Sequence, residues 1–456
     1  MLKERPNFPP ATVEGRSYAC PRQAVILAGG RGTRLRPITN DRPKPMAPIL
    51  GRPFLEYQIE QLREQGFDRI LLLLGYLPTV VQDYFGDGRR WGVQIEYSIT
   101  APDDLTSSRI ARARQLIDPC FLLLYCDNYW PMQIDAMWRR FREAAKPAMI
   151  TVYANKDGYS RGNVILDRAG GVQVFDRART IPGLTGVEIS YAIVTDRALD
   201  LLPASDTLFE EAIYTPLAEQ GRLAAFVTEH RYYSIGSLER LSATETFFRR
   251  KPAIILDRDG VLNRRPPRAS YVRSWREWEW APGALEALRL LNRAGYRVLV
   301  ASNQPGVSRG AMTRGALEAI HARMKRDILA AGGRIDRIYY CPHGWDQGCD
   351  CRKPKPGMLL QAQKDFCLDL TRVCFVGDDE RDAEAAEAAG CPFMGVTGSR
   401  SLLDIVRELL GLGGAVADDA RPQIVWVEAG RIRRNEDWPA IAEARVQRPH
   451  LDENRK

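Results

Sequence analysis

The 456-residue chain lacks the features that would place it in a membrane or outside the cell. No apolar run approaches the ~20 residues that a membrane-spanning helix needs, so we expect no membrane partner. The first 20 residues contain no apolar segment of the roughly 7–15 residues found in secretory signals, and the expected compartment is the cytoplasm. The composition, 45% hydrophobic and 27% charged, is that of an ordinary globular protein.

The chain also lacks a basic stripe, an aromatic-rich RNA-binding run and any repeat of solenoid type. Its formal net charge is +8, but the arginines are spread along the whole sequence. A solvated surface combined with sites that handle phosphate explains this charge better than nucleic acid does. We therefore expect small phosphorylated substrates and no nucleic-acid partner.

The nine cysteines are scattered, with a single tight cluster. Cys341, Cys349 and Cys351 lie close to His343 in the segment CPHGWDQGCDC. In a reducing compartment a metal is favoured over a disulfide, and this is the ligand set that tetrahedral Zn²⁺ prefers. The alternative is three buried thiols and an exposed imidazole, but a glycine-rich loop has little apolar content to bury and gains order from a metal. We expect a closed, structural zinc site.

Apolar strands alternate with amphipathic helices throughout most of the chain, and the pattern starts twice. The first start is QAVILAGG at 23–30 and the second is AIILDRDG at 253–260. This alternation predicts an α/β protein with two doubly wound, mostly parallel sheets. The predicted domain limits are listed here: an extension over 1–20, a first domain over 21–248, a second over 253–410 and a polar tail over 411–456.

The segment AIILDRDG at 253–260 places two carboxylates at the end of an apolar strand. Asp257 and Asp259 lie two residues apart in LDRDGVLN, at the edge where open α/β sheets bind ligands. Transfer of a phosphoryl group to a carboxylate needs a nucleophile beside a cation and a second acid for the leaving group. Asp257 fits the role of the nucleophile, and Asp259 fits the role of the general acid and base. Two such acids after a strand, without other motifs, more often belong to a solvated loop.

Loops after the following strands supply further phosphate-handling groups. Ser302 and Asn303 follow the strand YRVLVA, Arg352 and Lys353 lie in CRKPKPGM, and Asp378 follows the strand RVCFV. Hydroxyl, amide and cationic groups can hold a phosphate, and Asp378 is a hard oxygen ligand for Mg²⁺. The order of these loops over about 253–400 resembles the haloacid dehalogenase superfamily of phosphatases.

This resemblance implies roles for the residues just named. Asp257, Asp259 and Asp378 would bind Mg²⁺, Asp257 would form an aspartyl-phosphate, and Lys353 with Ser302 would hold the phosphoryl group. Lys355 competes for the lysine role, and the family pattern favours Lys353, with Arg352 on the substrate. The zinc loop and NQPGVSRG resemble D-glycero-D-manno-heptose 1,7-bisphosphate phosphatases, which remove the C7 phosphate, and their histidinol-phosphate phosphatase relatives.

The segment that begins with QAVILAGG at 23–30 combines a strand with a glycine-rich loop and a basic stretch. Gly29, Gly30 and Gly32 allow backbone N–H groups to approach a triphosphate, and Arg34 and Lys44 carry positive charge to the phosphates. With PKP at 43–45, the segment resembles the sugar-1-phosphate nucleotidyltransferases over about 21–248. In those enzymes a sugar phosphate attacks the α-phosphorus of a nucleoside triphosphate.

The resemblance places Mg²⁺ on an aspartate at the end of a strand, here Asp127 in LLLYCDN. A second aspartate is expected near the end of the domain, where YYSIGSLERL has Ser234 instead. A hydroxyl is a poor Mg²⁺ ligand beside a carboxylate. The usual Gly-Thr-Ala-Gly stretch is replaced by DDLTSSRI at 103–110, and the Glu-Lys pair that faces the sugar by Asp176 and Arg177.

The leading hypothesis is a bifunctional enzyme of nucleotide-activated heptose synthesis. The phosphatase would produce a heptose 1-phosphate and the transferase would join it to a nucleotide, with GTP favoured because related heptose 1-phosphate transferases use it. One alternative keeps the phosphatase and makes the first domain a silent binding or regulatory module. Another is a histidinol-phosphate phosphatase fused to a nucleotidyltransferase. The expected ligands are a sugar phosphate, a nucleoside triphosphate, Mg²⁺ and Zn²⁺.

Overall fold

The computed structural model describes residues 8–249, 251–267 and 270–412, together with the backbone of 425–428 and 431–434. The chain divides into two compact units, Met1–Arg249 and Arg250–Lys456. None of the helices among the described residues is long and apolar enough to cross a bilayer.

The described part of the first unit contains fifteen strands and seven α-helices. Its strands are β1 (Ala11–Val13), β2 (Arg16–Tyr18), β3 (Gln23–Ala28), β4 (Pro48–Ile49), β5 (Arg52–Pro53), β6 (Arg69–Leu74), β7 (Gln94–Ile99), β8 (Cys120–Tyr125), β9 (Asn128–Tyr129), β10 (Ala148–Tyr153), β11 (Val164–Leu166), β12 (Val172–Phe175), β13 (Val187–Thr195), β14 (Leu223–Thr228) and β15 (Tyr233–Ser234). Its helices are α1 (Phe54–Glu64), α2 (Pro78–Phe85), α3 (Thr106–Arg112), α4 (Ile134–Ala144), α5 (Asp196–Leu199), α6 (Thr215–Glu219) and α7 (Leu238–Phe248).

Seven strands of this unit form one sheet in the order β14-β10-β13-β8-β3-β6-β7. All neighbouring pairs are parallel except those of β13, which runs antiparallel to both β10 and β8. The apolar segment NVILD at 163–167 is not part of this sheet, because β11 pairs with β12 in a separate ribbon. The glycine-rich loop leaves β3, which lies between β8 and β6, and thus opens at the carboxyl edge of the central strands.

The two faces of the sheet build two separate cores. Along β3, Ala24 and Ile26 pack into one core cluster and Val25 into the other. Side chains alternate between the faces of a strand, so a strand covered on both faces is apolar throughout. This explains why β3 contains the uninterrupted apolar run AVILA rather than an alternating pattern.

The hairpin β1–β2 belongs to the first unit rather than to a separate extension. Ala11, Val13 and Tyr18 are buried in the same core cluster as one face of the sheet, while Thr12 between them is exposed. The alternation of apolar and polar residues over these three positions is that of a half-buried strand. The segment predicted as an extension over 1–20 therefore contributes to the core from residue 11 onward.

The second unit follows the same plan with fewer strands. Its elements are β16 (Ala253–Leu256), α8 (Ala284–Arg293), β17 (Arg297–Asn303), α9 (Arg314–Ala330), β18 (Arg337–Cys341), α10 (Gly357–Phe366), β19 (Cys374–Gly377), α11 (Glu380–Ala389), β20 (Phe393–Gly395), α12 (Leu402–Leu409), β21 (Val425–Glu428) and β22 (Arg431–Arg434). The five-stranded sheet has the order β18-β17-β16-β19-β20 and is entirely parallel.

The sheet of the second unit is also covered on both faces. Ala253 and Ile255 of β16 pack into one core cluster. Ile254 and Leu256 pack into the other. The predicted class of two doubly wound, mostly parallel α/β domains is confirmed. In the segment predicted as a polar tail, β21 and β22 form an antiparallel hairpin, and the remainder from 413 lies outside the described residues.

Candidate functional site

Three carboxylates meet at the carboxyl edge of the second sheet. Asp257 directly follows β16, Asp378 directly follows β19, and these two strands are neighbours in the sheet. Asp382 reaches the same point from the first turn of α11. Oxygen atoms of Asp257, Asp378 and Asp382 all lie within 4.8 Å of one another. Asp382 was not predicted from the sequence, although its spacing of four residues from Asp378 at the start of a helix is a readable signal.

The side chain of Lys353 is inserted into this group and is only 2% exposed. Its Nζ lies 3.0 Å from Asp257 Oδ1 and 2.6 Å from Asp382 Oδ1, and it donates to the carbonyl of Ala301 at 2.9 Å. Burial alone would lower the pKa of this ammonium group, but Asp257 and Asp382 raise it overall. Lys353 is thus a fixed cation at the centre of the acidic group.

The Asp259 carboxylate is not part of the cluster formed by the three acids. It accepts two hydrogen bonds of 2.9 Å from Arg258 Nη2, one of 2.9 Å from Asn263 and one of 2.8 Å from Gln304. Burial opposes ionisation, but Arg258 and the other donors lower the pKa of this carboxyl overall. The predicted metal role of Asp259 stays a prediction, since its carboxylate is outside the cluster of Asp257, Asp378 and Asp382.

Burial has the opposite effect on the nucleophile candidate and its neighbour. It raises the pKa of Asp257 to about 7, against the pull of Lys353, with Asp382 and Asp259 adding to the rise. It raises the pKa of Asp378 to about 6, with the Asp257 charge as a second cause. Crowded carboxylates of this kind gain from any cation placed between them.

The acidic group has the donor set for a divalent cation. Carboxylate oxygen is the ligand type that Mg²⁺ prefers. Gly260 has φ +89°, and a Cβ there would lie 1.8 Å from Asp378 Oδ2, so only glycine lets this carboxylate approach the loop. The Asp382 carboxylate accepts a hydrogen bond of 3.2 Å from the backbone N–H of Asp378 and so holds the loop that carries Asp378. The residues present therefore fit a magnesium site.

The other predicted phosphate ligands lie around this group in different ways. Ser302 is 1% exposed, and its hydroxyl accepts from Gln304 Nε2 at 2.9 Å. Asn303 differs from the prediction, because its amide makes two 3.0 Å hydrogen bonds with the backbone N–H and C=O of Lys353. Its side chain thereby positions Lys353. Lys355, the competing lysine, is exposed and pairs with Asp350 at 3.1 Å.

The four predicted zinc ligands converge on one point. Cys341 Sγ lies 3.6 Å from both Cys349 Sγ and His343 Nδ1, and His343 Nδ1 lies 3.3 Å from Cys351 Sγ. Bonds of ~2.3 Å to sulfur and ~2.0–2.1 Å to nitrogen imply ligand separations of roughly 3.5–3.8 Å around tetrahedral zinc. The cysteines are not joined by disulfides. Arg352 donates to the His343 carbonyl at 3.2 Å and thus contacts this loop.

In the first unit the glycine-rich loop surrounds the end of β3. Gly30 has open space where a Cβ would be, and Arg34 is exposed on the single 3₁₀ turn Thr33–Leu35. Gly32 has φ +64°, its carbonyl accepts from the Thr39 hydroxyl at 2.8 Å, and a Cβ would lie 2.9 Å from Lys44 Cβ. Glycine at this position allows the loop to close onto Lys44.

Lys44 and Asp127 are brought together from distant parts of the first unit. Lys44 Nζ lies 2.5 Å from Asp127 Oδ2. Ser234 lies beside this pair, because β15 pairs with β9 in the register Ser234↔Asn128 and the N–H of Ile235 donates to the Asp127 carbonyl at 3.0 Å. The Ser234 hydroxyl accepts from the N–H of Gly236 at 2.9 Å.

Two glutamates that were not predicted from the sequence belong to this region: Glu188 interacts electrostatically with Asp127, and Glu210 with Glu188. Burial raises the pKa of Glu188 to about 8, with Glu210 and Asp127 contributing negative charge. Arg177 lies 3.6 Å from Glu210, whereas Asp176 accepts from the N–H groups of its own turn at 179–181. Asp176 therefore caps a turn, in contrast to the sugar-facing position that we predicted for it.

The fold and these centres define a chain that joins a nucleotidyltransferase to a haloacid dehalogenase-like phosphatase. The family model described as nucleotidyl transferase matches residues 23–176, and the model described as HAD-hydrolase-like matches residues 350–419. The chain is thus an enzyme with a phosphatase domain and a nucleotidyltransferase domain.

A D-glycero-beta-D-manno-heptose-1,7-bisphosphate 7-phosphatase from Pseudomonas aeruginosa is 47% identical over 138 residues, which are 30% of this chain and 76% of that protein. The chain therefore belongs to the heptose-1,7-bisphosphate 7-phosphatase family through its second unit. Among solved structures, the D,D-heptose 1,7-bisphosphate phosphatase from B. bronchiseptica is 38% identical, with 43% of this chain and 98% of that chain covered and a TM-score of 0.32. HddC from Yersinia pseudotuberculosis is 25% identical, with coverage of 50% and 99% and a TM-score of 0.43.

Proposed function

We propose that this chain is a bifunctional enzyme of nucleotide-activated heptose synthesis. Its phosphatase domain would remove the C7 phosphate of D-glycero-D-manno-heptose 1,7-bisphosphate, and its nucleotidyltransferase domain would join the resulting heptose 1-phosphate to a nucleotide. The observation that carries the proposal is the group formed by Asp257, Asp378, Asp382 and Lys353 in a member of the heptose bisphosphate phosphatase family. The product of the first reaction is the substrate of the second.

In the phosphatase reaction, Asp257 is the nucleophile. An oxygen of its carboxylate attacks the C7 phosphorus, the bond from phosphorus to the sugar oxygen breaks, and an aspartyl-phosphate forms. Asp259 gives a proton to the departing sugar oxygen, and as a base it then takes one from the water that hydrolyses the acyl phosphate. To act as the acid, Asp259 must first leave the ionised state that Arg258 stabilises.

The remaining residues hold the phosphoryl group. Lys353, which is fixed by two carboxylates and the Ala301 carbonyl, directs its charge at the oxygens beside Asp257. Ser302 has a hydroxyl proton to donate, and Arg352 is assigned to the rest of the substrate. When bound to Asp257 and Asp378, Mg²⁺ supplies positive charge that balances the phosphate and the crowded carboxylates.

In the transferase reaction, the heptose 1-phosphate oxygen attacks the α-phosphorus, and the bond to the bridging oxygen breaks to release pyrophosphate. The glycine-rich loop with Gly29, Gly30 and Gly32 would offer backbone N–H groups to the triphosphate. Arg34 and Lys44 carry charge to the phosphates, and Asp127 is the proposed ligand for Mg²⁺. We favour GTP, since the heptose 1-phosphate transferases that this domain resembles use it.

A turnover assay of the full chain tests both activities. With heptose 1,7-bisphosphate alone we expect one phosphate per substrate and no pyrophosphate. Addition of GTP should then give pyrophosphate in a magnesium-dependent reaction. Phosphate release without pyrophosphate from any nucleoside triphosphate, even when heptose 1-phosphate is added directly, would contradict the transferase half and favour a silent first domain.

Substrate preference separates the proposal from the histidinol-phosphate alternative. We expect phosphate release from heptose 1,7-bisphosphate to exceed that from histidinol phosphate by at least about 100-fold in kcat/KM, which corresponds to roughly 2.7 kcal/mol of transition-state binding. Initial rates with both substrates at the same magnesium concentration measure this ratio. A higher kcat/KM for histidinol phosphate than for heptose 1,7-bisphosphate would contradict the heptose assignment.

Ser234 gives a test that is specific to the nucleotidyltransferase domain. We expect Ser234→Asp to lower the Mg²⁺ concentration for half-maximal pyrophosphate release by about tenfold, because a carboxylate is a much better Mg²⁺ ligand than a hydroxyl. Ser237→Asp is the matched control, since Ser237 caps α7 and aspartate caps helices equally well. An equal response of the two variants would refute the metal role of position 234.

We also propose that Cys341, His343, Cys349 and Cys351 bind a structural Zn²⁺. Two pairs of ligands within one loop satisfy a tetrahedral ion completely, which leaves no position for substrate. The three separations between ligand atoms given above, 3.3–3.6 Å, support this assignment. Metal analysis of the purified chain should find one zinc per molecule.

A further inference from the structure

A buried arginine lies directly beneath the glycine-rich loop of the first unit. Arg109 belongs to α3 and is only 3% exposed. A Cβ on Gly29 would lie 2.3 Å from its guanidinium carbon, and a Cβ on Gly75 would lie 2.5 Å from its Nη1. Both glycines therefore leave room for this side chain, which fills the space between the ends of β3 and β6.

The hydrogen bonds recorded for Arg109 all go to neutral acceptors. Nη1 donates to the Leu74 carbonyl at 3.0 Å and to the Thr100 hydroxyl at 2.5 Å. Nη2 donates to the carbonyls of Ala101 and Pro102 at 3.0 and 3.1 Å. These contacts hold the guanidinium group in place but leave its positive charge without a counter-ion in direct contact.

The acids nearest to Arg109 are engaged elsewhere. Asp103 forms a two-pronged ion pair with Arg31 of the glycine-rich loop, Asp104 lies 3.8 Å from Arg112, and Asp206 accepts from the N–H of Leu105. Among the described residues, no carboxylate is within ion-pair distance of Arg109. Asp103, Asp104 and Asp206 interact with the guanidinium charge only at longer range. A charge in a low-dielectric interior acts over a longer distance than one in water, so this charge also reaches whatever the loop binds.

We propose that Arg109 is a positioning residue that tunes the nucleotide site by charge: its buried guanidinium sets how strongly the glycine-rich loop holds phosphate groups. This inference rests on the proposed nucleotide binding by the first unit. A cation fixed under the loop attracts a nucleotide more strongly the more phosphate charge the nucleotide carries, and it need not touch the ligand.

The test is a binding series with one nucleotide at four charge states. We would first select the triphosphate that the full chain binds best from GTP, ATP, CTP, UTP and dTTP, at a fixed magnesium concentration. Its triphosphate, diphosphate, monophosphate and nucleoside forms are then titrated into the parent and into Arg109→Gln. We expect the variant to bind the triphosphate about tenfold more weakly than the parent does, and to lose less affinity for each phosphate that the ligand lacks. Its affinity for the nucleoside should be within about twofold of that of the parent.

Two further variants separate charge from structure. Arg112→Gln removes one positive charge from the exposed side of the same helix. It should change the affinity for each of the four ligands by less than about twofold, since exposed charges are screened. Arg109→Lys keeps the charge and loses the forked contacts, and it should retain the parent ratio of triphosphate to nucleoside affinity even if Arg109→Gln does not fold.

The outcomes distinguish this inference from the function on which it rests. A uniform loss across the four ligands in Arg109→Gln, or a loss of the charge dependence in Arg109→Lys, would overturn the role of Arg109 alone. A parent chain that binds none of the five triphosphates would overturn nucleotide binding, and the inference with it.

Discussion

Replacement of Asp257 by asparagine should reduce phosphate release by ~10³-fold or more, because the substitution removes the attacking oxygen while keeping the shape of the side chain. Phosphate release from heptose 1,7-bisphosphate by the full chain measures the effect. Asp327→Asn is a matched control in the same unit, since the partly exposed carboxylate of Asp327 forms an ion pair with Arg323 on the same helix, α9. Its rate should equal that of the parent.

The same Asp257 variant should keep or slightly raise its thermal stability. Burial and the neighbouring acids raise the pKa of Asp257 to about 7, so its ionised form is disfavoured in the folded chain. The cost is absent below about pH 4, where the carboxyl is protonated in both the folded and the unfolded chain, grows as the pH rises from there towards 7, and is constant above 7. Asparagine avoids it. Lys353 keeps Asp382 and the Ala301 carbonyl as partners in the variant. A rate near that of the parent, or loss of the folded state, would contradict the assignment.

Replacement of Cys349 by serine should act on stability rather than on the chemical step. A structural zinc site contributes folding free energy, and loss of about 3 kcal/mol would lower the unfolding temperature of the second unit by roughly 10 °C. Differential scanning calorimetry with metal analysis should find a lower transition and less than one zinc per chain.

The control for this substitution is Cys374→Ser, which lies in the same unit and is also partly buried. It makes the same atomic change without touching the zinc ligands, so zinc content should remain that of the parent. Prolonged dialysis of the parent against a strong chelator should reproduce the Cys349→Ser transition. Unchanged stability after complete loss of zinc would refute the structural role.

The sequence predicts those site residues that are adjacent in the chain or follow a strand directly. Asp257 and Asp378 each come straight after an apolar run, and parallel strands bring their carboxyl ends to one edge. The zinc cluster spans only 341–351, so its convergence needs little knowledge of the fold. In both cases local spacing is sufficient to place the side chains.

The residues that were missed, and the one whose contacts differ from the prediction, owe their positions to long-range packing. Arg109 lies 80 residues beyond Gly29, and nothing in TSSRIAR indicates that its side chain turns inward. Arg258 lies between two acids in a loop and resembles a solvated cation, yet it is 1% exposed. Asn303 has the right residue type for phosphate, but its amide is engaged by the backbone of Lys353. Residue type suggests possible partners, and only the packed structure selects among them.

The zinc loop ends two residues before Lys353, since Cys351 is the last of its proposed ligands. The residue between them, Arg352, is bonded to the carbonyl of another ligand, His343. The placement of the lysine at the reacting carboxylate is thus tied covalently to the zinc loop. Under the zinc assignment, the lysine keeps its place only while the second unit stays folded, so the supply of this trace metal would set the range of temperatures in which the phosphatase works.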